Sequence, residues 1–424
     1  MRAALWLLAL FAVAVSIALF VGNNQGTVTV YWPPYRVDLS LNLVLLLLFG
    51  AFTVLYFALR ALAALFELPG QAHRWRVQQR ERAMHAALLD ALSHLLSGRF
   101  LRARRSAEAA LAQERSLSAS GEQLANAVQL RALAHLLAAE SAQSLQDRSG
   151  RDHHLGLALE QTSQRNTSSG QETRDGAQLR AARWALDDRD PQAALIWLSE
   201  MTQGAARRTL ALRIKLKAAR QARRTLEALE TARLLGKHRA FSAGAAQSIV
   251  RGLATDLINS AHDTAQLQRM WTSLDANERA MPELAIHAAR RLTVLNGDAA
   301  LARNWLLPVW ERMLDRSGGI SDPLRIKLIE ALEAGLASVD GAWLARFEAA
   351  QMGNPRDANL QYLAGMACMN RQLWGKAQQL LAQAAMGLQD VRLTRNAWNA
   401  LAQLAEQRGD SETAAAAWKR AAQV

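Results

Sequence analysis

Hydrophobic positions follow two regimes along this chain. Near the start they are continuous: residues 3–21 carry no charge, and a second uncharged stretch runs over 39–59 until Arg60 ends it. Each stretch has about the 20 residues that a helix needs to cross a hydrocarbon core. Residues 1–68 are therefore expected to form a two-helix transmembrane hairpin. Arg2 with the small pair Ala12 and Ala14 also suits a cleaved signal peptide, but the apolar run exceeds a signal core and a second span follows directly. Retention as an anchor is the expectation.

Between the spans, residues 22–38 hold strand-forming Thr27 to Trp32 and a Pro33-Pro34 break, and alternation follows from Tyr35 to Leu39. That pattern fits a small β-hairpin; equally, Tyr31, Trp32 and Tyr35 fit aromatic rings seated at a membrane interface. Arg36 in the loop is offset by Asp38, whereas Arg60 and a series from Arg74 onward follow the second span. Because positive flanks stay inside, the loop is expected in the periplasm and both termini in the cytoplasm, with the chain crossing an inner membrane twice.

Beyond Pro69 and Gly70 the pattern becomes periodic. Ala83, Ala87, Leu88, Ala91, Leu92 and Leu95 recur at three- and four-residue steps; after Ser97 and Gly98 a second helix is expected from Phe100, with Ala103, Ala107, Ala110 and Leu111 on one face. The same spacing returns at the C-terminus, where Trp398, Leu401, Gly409, Ala414, Trp418 and Ala421 fit a tetratricopeptide repeat. Gly365, Ala377, Leu381 and Ala384 fit the unit before it, Gly297 with Ala302 and Leu306 repeats the turn, and 188–191 with Ala194 and Trp197 is a weaker copy. Residues 210–237 and 249–274 match poorly but keep helical periodicity, so diverged repeats are expected there. Residues 166–176, polar and without apolar anchors, are expected to be an exposed loop.

The predicted fold class is all-α: the membrane hairpin, then one cytoplasmic tetratricopeptide-like α-solenoid over 69–424. In such a stack the first helix of each repeat lines a groove. That places Asn359, Tyr362, Met366, Met369, Asn370, Asn396, Asn399, Gln403, Glu406 and Gln407 as candidate partner-binding positions, against the plainer reading of solvated helix surface. Trp184, Trp197, Trp271, Trp305, Trp310, Trp343, Trp374, Trp398 and Trp418, spread singly along helices, read as repeat core rather than base-stacking platforms.

Composition adds three constraints. A single cysteine, Cys368, at an inward repeat position, excludes disulfide frameworks and paired-CxxC zinc sites. The formal net charge of +13 raises nucleic acid as a partner. Arg74, Arg76, Arg80 and Arg82 follow a membrane span, so they read instead as a lipid-facing basic cluster and nucleic acid is disfavoured. No GxGxxG, GxxxxGK[ST], HExxH or GxSxG motif occurs, so an enzyme has no support and no cofactor is required. His153 and His154, adjacent on a helix, point about 100° apart and read as solvated. His73, His85 and His94 are each a lone candidate for a haem axial ligand, with ordinary surface histidine the preferred reading.

Two spans, a short outer loop with Gly22, Gln25, Gly26, Thr27 and Val28, then an arginine-rich helix and repeats form an order that resembles the HemY family of proteobacteria. Its most specific pieces are residues 24–30 and 75–82 and the turn through Leu95, Gly98, Phe100 and Ala103. The resemblance implies a non-enzymatic, membrane-tethered scaffold or regulator in a late step of protohaem synthesis, with membrane-associated haem-pathway enzymes as partners. Two alternatives stay open. One is a repeat adaptor for envelope-component assembly, weakened because a family of that kind carries paired CxxC motifs. The other is a haem or porphyrin carrier using His73, His85, His94, Met366 or Met369. A flavin-dependent protoporphyrinogen oxidase sharing the HemY name would need a glycine-rich nucleotide fingerprint that this chain lacks.

Overall fold

The computed structural model describes residues 13–14, 16–17, 22, 26–121, 126–163, 168–315 and 319–424, without the side chains of 63–72, 168 and 169. The first expected span, 3–21, thus lies outside the described residues except at four isolated helical positions. Strands β1 (Thr27–Trp32) and β2 (Tyr35–Ser40) pair antiparallel, in register from Thr27 opposite Ser40 to Trp32 opposite Tyr35. The β-hairpin expected for this loop is present, with Tyr31, Trp32 and Tyr35 exposed on it. Pro33-Pro34 occupies the turn, where no ladder N–H is needed, and the Thr29 hydroxyl donates to Asp38 Oδ1 across the pair at 2.6 Å.

Ser40 caps the next element by accepting the Leu43 N–H, opening α1 (Leu41–Leu96), a helix of 56 residues or about 84 Å at 1.5 Å per residue. Its segment Leu41–Leu62, with mean hydropathy 2.3 and no part buried, is long and apolar enough to cross a membrane. It starts two residues later than the hydrophobic run because Leu39 and Ser40 are taken by β2. Pro69 and Gly70 do not end it. The helix continues through both into an amphipathic stretch anchored by buried Met84 and Ala91, although an interior proline deletes one helical N–H, crowds the carbonyl four residues before it and favours a kink.

The chain divides into two compact units, 1–174 and 175–424. In the first, α1 is followed by α2 (Phe100–Ala119), α3 (Ala127–Ser144) and α4 (Arg148–Ser163). Then come α5 (Ser168–Asp187) and α6 (Pro191–Ser199), short α7 (Gln203–Ala206), the pair α8 (Thr209–Gln221) and α9 (Thr225–Lys237), α10 (Ala243–Asn259), α11 (Thr264–Thr272) and short α12 (Ala276–Arg279). The rest pairs α13 (Pro282–Val294) with α14 (Ala299–Leu314), and α15 (Asp322–Glu333) with α16 (Gly341–Gly353) through a 3-10 turn. After these, α17 (Ala358–Asn370) pairs with α18 (Trp374–Gly387), and α19 (Val391–Gln407) with α20 (Ser411–Gln423).

Seven of these hairpins, among the described residues, close with one turn. Gly98, Gln146, Arg189, Arg223, Asn296, Gln372 and Gly409 each take a positive φ. The following N–H then reaches back to the carbonyl five residues earlier, at 2.8–3.0 Å, as from Arg99 to His94, Arg224 to Ala219 and Asp410 to Ala405. This pairs helix-end carbonyls that would otherwise be orphaned. Small residues flank the turn. Ala91, Ala139, Ala182, Ala289, Gly365 and Ala402 lie seven positions before it, and Ala103, Ala194, Ala228, Ala302, Ala377 and Ala414 five or six after it, all buried. At Gly365 an added Cβ would stand 2.8 Å from Leu381 Cγ, so the helix pair closes to backbone contact there.

One hydrophobic cluster runs through unit 2 from Leu212 to Leu404, with Trp271 and Trp305 stacked at 5.0 Å and Phe347 edge-on to Trp310 at 5.3 Å. Trp184, Trp271, Trp305, Trp310 and Trp343 are core, and Trp197 and Trp398 are half-buried. Trp374 and Trp418 are not core: Trp374 opens α18 at the surface, and the Trp418 indole N–H donates to Glu406 at 2.7 Å. Residues 210–237 form a regular hairpin of the same kind. The polar stretch expected as a loop is helical from Ser168, because its anchor is a polar one: buried Asp175 accepts from the Thr202 N–H at 3.2 Å and its hydroxyl at 2.7 Å.

These turns make two opposite predictions for urea unfolding. Gly365→Val should destabilise by about 1–3 kcal/mol through overpacking against Leu381, whereas Arg223→Gly, relieving a left-handed residue, should stabilise by about 1 kcal/mol.

Candidate partner-binding face

In unit 2 the first helices of successive pairs, α10, α13, α15, α17 and α19, pack side by side. A polar network ties four of them together. Glu330 on α15 accepts from Arg392 on α19 at 2.6 Å and sits 3.8 Å from Arg290 on α13. One turn on, Glu333 Oε1 accepts from the Tyr362 hydroxyl at 2.5 Å and from Asn396 Nδ2 at 3.0 Å. Burial, with Glu333 alongside, pushes the Tyr362 phenol far up, so it is a fixed donor. Arg325 and Asp357 add a pair at 3.5 Å.

This network uses several positions that the repeat pattern offers as groove-lining. Tyr362 is fully buried and does not line an open face, because its ring joins the core and its hydroxyl is spent on Glu333. Asn396 serves the same carboxylate; Glu406 accepts from Trp418, and Asn370 Nδ2 donates to the Met366 carbonyl at 2.9 Å. Met366 and Met369 pack half-buried against the cluster, and Asn359 is half-buried near the start of α17. Asn399, half-buried, and Gln403 and Gln407, exposed, share α19 and are the side chains of this set least committed to other contacts. At the first turns of α10 and α13, an open polar cleft of about 390 Å³ is lined by Arg251, Glu283, Asn277 and Arg312, with Arg251 and Glu283 paired at 2.9 Å.

In unit 1, Arg74, Arg76, Arg80 and Arg82 are all exposed on α1. His73 and His85 are exposed and His94 half-buried on the same helix, with His85 Nδ1 bonded to the Glu81 carbonyl at 2.8 Å. No group of three or more metal-ligating side chains occurs among the described residues. Cys368 is buried, and burial beside Glu348 pushes its thiol up to about 11, which suits a core residue and not a thiolate.

The histidine reading needs one correction. His153 is exposed, but His154 is buried in α4 and its Nδ1 lies 3.0 Å from Nδ1 of buried His135 on α3. The α3–α4 turn at Gln146 brings the two together. One nitrogen donates and the other accepts, which requires the pair to stay uncharged or to share one proton. Burial, with His154 and Arg115 nearby, pushes His135 down to about 4; burial and His153 also lower His154.

A helical-repeat protein of tetratricopeptide type, carrying one exposed apolar helix of spanning length among its described residues, is the class that these turns and this face define. Residues 26–146 match the family model described as HemY protein N-terminus, so this segment is similar to the HemY family. No curated protein matches the sequence. Solved structures similar to it include the P58(IPK) TPR domain, at 12% identity over 77% of this chain and 99% of that one, with TM-score 0.23. The Naa15/Naa10 complex with HypK-THB matches at 13% identity over 77% of this chain and 56% of that one, also with TM-score 0.23.

The buried pair predicts an acid limit. Unfolded histidines titrate near about 6.5, above their folded values, so the unfolded chain binds more protons and stability falls as pH drops from about 6.5 to about 4. Thermal melts of the full chain in detergent between pH 7 and 5 should show this loss. His154→Gln should flatten the pH dependence while lowering the midpoint at neutral pH.

Proposed function

We propose that this chain is a membrane-tethered scaffold or regulator in late protohaem synthesis, non-enzymatic and requiring no cofactor, which holds membrane-associated haem-pathway enzymes on the first-helix face of its repeats. The observation that carries the reading is α1, in which one helix supplies both the exposed apolar segment Leu41–Leu62 and the first helix of the first repeat hairpin. A partner in the same bilayer meets such a face at raised effective concentration without a tighter interface. The likeness of residues 26–146 to the HemY N-terminal family model supports the haem pathway.

The two-span anchor belongs to the same proposal, with residues 22–38 periplasmic, both termini cytoplasmic and lipid contact through Arg74, Arg76, Arg80 and Arg82. Arg74 stands twelve residues past Leu62 and Arg82 twenty, about 18 and 30 Å along a helix, so contact of these cations with head groups requires this part of α1 to lean over onto the bilayer surface.

Crosslinking and mass spectrometry of the tagged chain in its own membranes should capture haem-pathway enzymes, and cells lacking the chain should accumulate porphyrin precursors. Replacing Asn399, Gln403 and Gln407 with Ala should reduce capture several-fold at unchanged chain abundance. Envelope-assembly enzymes in the crosslinks with a normal porphyrin profile would overturn the haem assignment.

A further inference from the structure

Positive charge is concentrated in one place. Residues 207–240 contain eleven Lys and Arg against two Glu, so 34 residues hold nine of the thirteen net charges of the whole chain. They form the α8–α9 hairpin with its two flanking turns. The core faces of both helices are apolar, with Leu212, Leu216, Ala219, Ala228, Leu229, Ala232 and Leu235 buried. The cations must therefore point outward.

Few of them are neutralised. Glu227 takes Lys215 at 3.1 Å and Arg224 at 3.5 Å, Arg233 is consumed by Glu278 at 2.5 Å, and Arg213 donates to the Ala240 carbonyl at 2.9 Å. Arg207, Arg208, Lys217, Arg220, Arg223, Lys237 and Arg239 are exposed with no acidic partner among the described residues. On α8, Leu210, Arg213, Lys217 and Arg220 recur at helical spacing, which makes one outward stripe. Leu210 at its start is 58% exposed, and Leu226 at the start of α9 is 45% exposed.

We propose that the α8–α9 hairpin is a second membrane contact, a surface that docks on anionic lipid head groups. Three observations favour lipid over nucleic acid. Exposed Leu210 and Leu226 beside the cations suit the head-group and acyl boundary, where apolar side chains reach below a charged layer. The aromatic ring at this patch, Phe241, has the Arg213 guanidinium 5.7 Å over its face, so it offers no free platform for a base. The same chain carries an exposed apolar helix of spanning length, which keeps a bilayer within reach. The last point rests on the tethered reading, but charge and exposure stand without it. Attraction of this kind acts within about 8–10 Å of the surface and weakens with salt.

The full chain can report this directly. Cys368 is buried, so Gln221→Cys, on exposed α8, gives a selectively labelled fluorophore in the patch. The labelled chain would be reconstituted in phosphatidylcholine vesicles, alone or mixed with phosphatidylglycerol, containing a head-group quencher. Quenching should be several-fold stronger with phosphatidylglycerol, should fall as salt rises, and should be lost in the K217E/R220E/K237E variant. The neutral variant K217Q/R220Q/K237Q should fall between, and circular dichroism melts should match the parent. Equal quenching in both lipids, or no loss in a folded charge-reversed variant, overturns the proposal. So does tight, patch-dependent binding of a fluorescent single-stranded RNA by a chain that ignores phosphatidylglycerol. Alkaline-resistant retention in neutral vesicles tests the span separately, so failure of the anchor and failure of the patch are distinct results.

Discussion

The left-handed turn between paired helices is the constraint on which the rest of this structure depends. A helix that ends in water leaves its last carbonyls unpaired, and the positive-φ residue lets the next N–H turn back onto one of them. The turn also sets the second helix against the first, which is tolerable only where side chains are small. Hence the alanines seven residues before the turn and five after it are buried in pair after pair. With one buried cysteine and no metal cluster among the described residues, nothing covalent holds the pairs together. Stability is then close to a sum of pair and neighbour terms, in which each interface counts separately.

Packing first helices side by side raises a second demand. Alternating side chains could slide by a turn with little change in apolar burial, and the polar network resists this. Glu330 and Glu333, held by Arg392, Arg290, Tyr362 and Asn396, link four consecutive first helices in one relative position. Removing a single partner leaves a carboxylate short of donors in a partly desolvated site, a cost well above that of a surface pair. What remains for a partner is the outer edge of the face, where Asn399, Gln403 and Gln407 project from α19.

Repeats were legible in the sequence where glycine marks the turn, as at Gly98 and Gly409, or follows it, as at Gly297. At Arg189 the copy was legible only weakly, through residues 188–191 with Ala194, and it was not legible where Gln146 or Arg223 takes the same backbone position, because those residues carry no compositional signal for a left-handed φ. A better signal was present. Ala228 follows its turn at the same five-residue interval as Ala103, Ala194 and Ala414, and the turn at Arg223 could have been placed by counting back from it. Missing the turn at Gln146 also hid the His135–His154 pair, since eleven residues before a turn and eight after it become neighbours only once the chain is folded back there. The polar anchor of α5 was hidden for another reason: Asp175 is stabilised by Thr202, 27 residues away, and no periodicity of apolar residues reports that.

The apolar part of α1 is held at both ends by structure with its own geometry. At one end Leu41 N–H donates to the Gly26 carbonyl at 2.9 Å, so the first turn of α1 is bound to the base of the β-hairpin. At the other end the helix continues without a break into the stretch that packs on α2 through Ala91, Ala103 and Ala107. An unbroken helix transmits direction in a way that a glycine or serine linker does not, since rotating one end rotates the other. The orientation of the first repeat pair about the helix axis is therefore tied to that of the apolar segment. This coupling distinguishes the arrangement from a repeat domain on a flexible tether, because a tether restricts where a binding face is found but leaves its direction free.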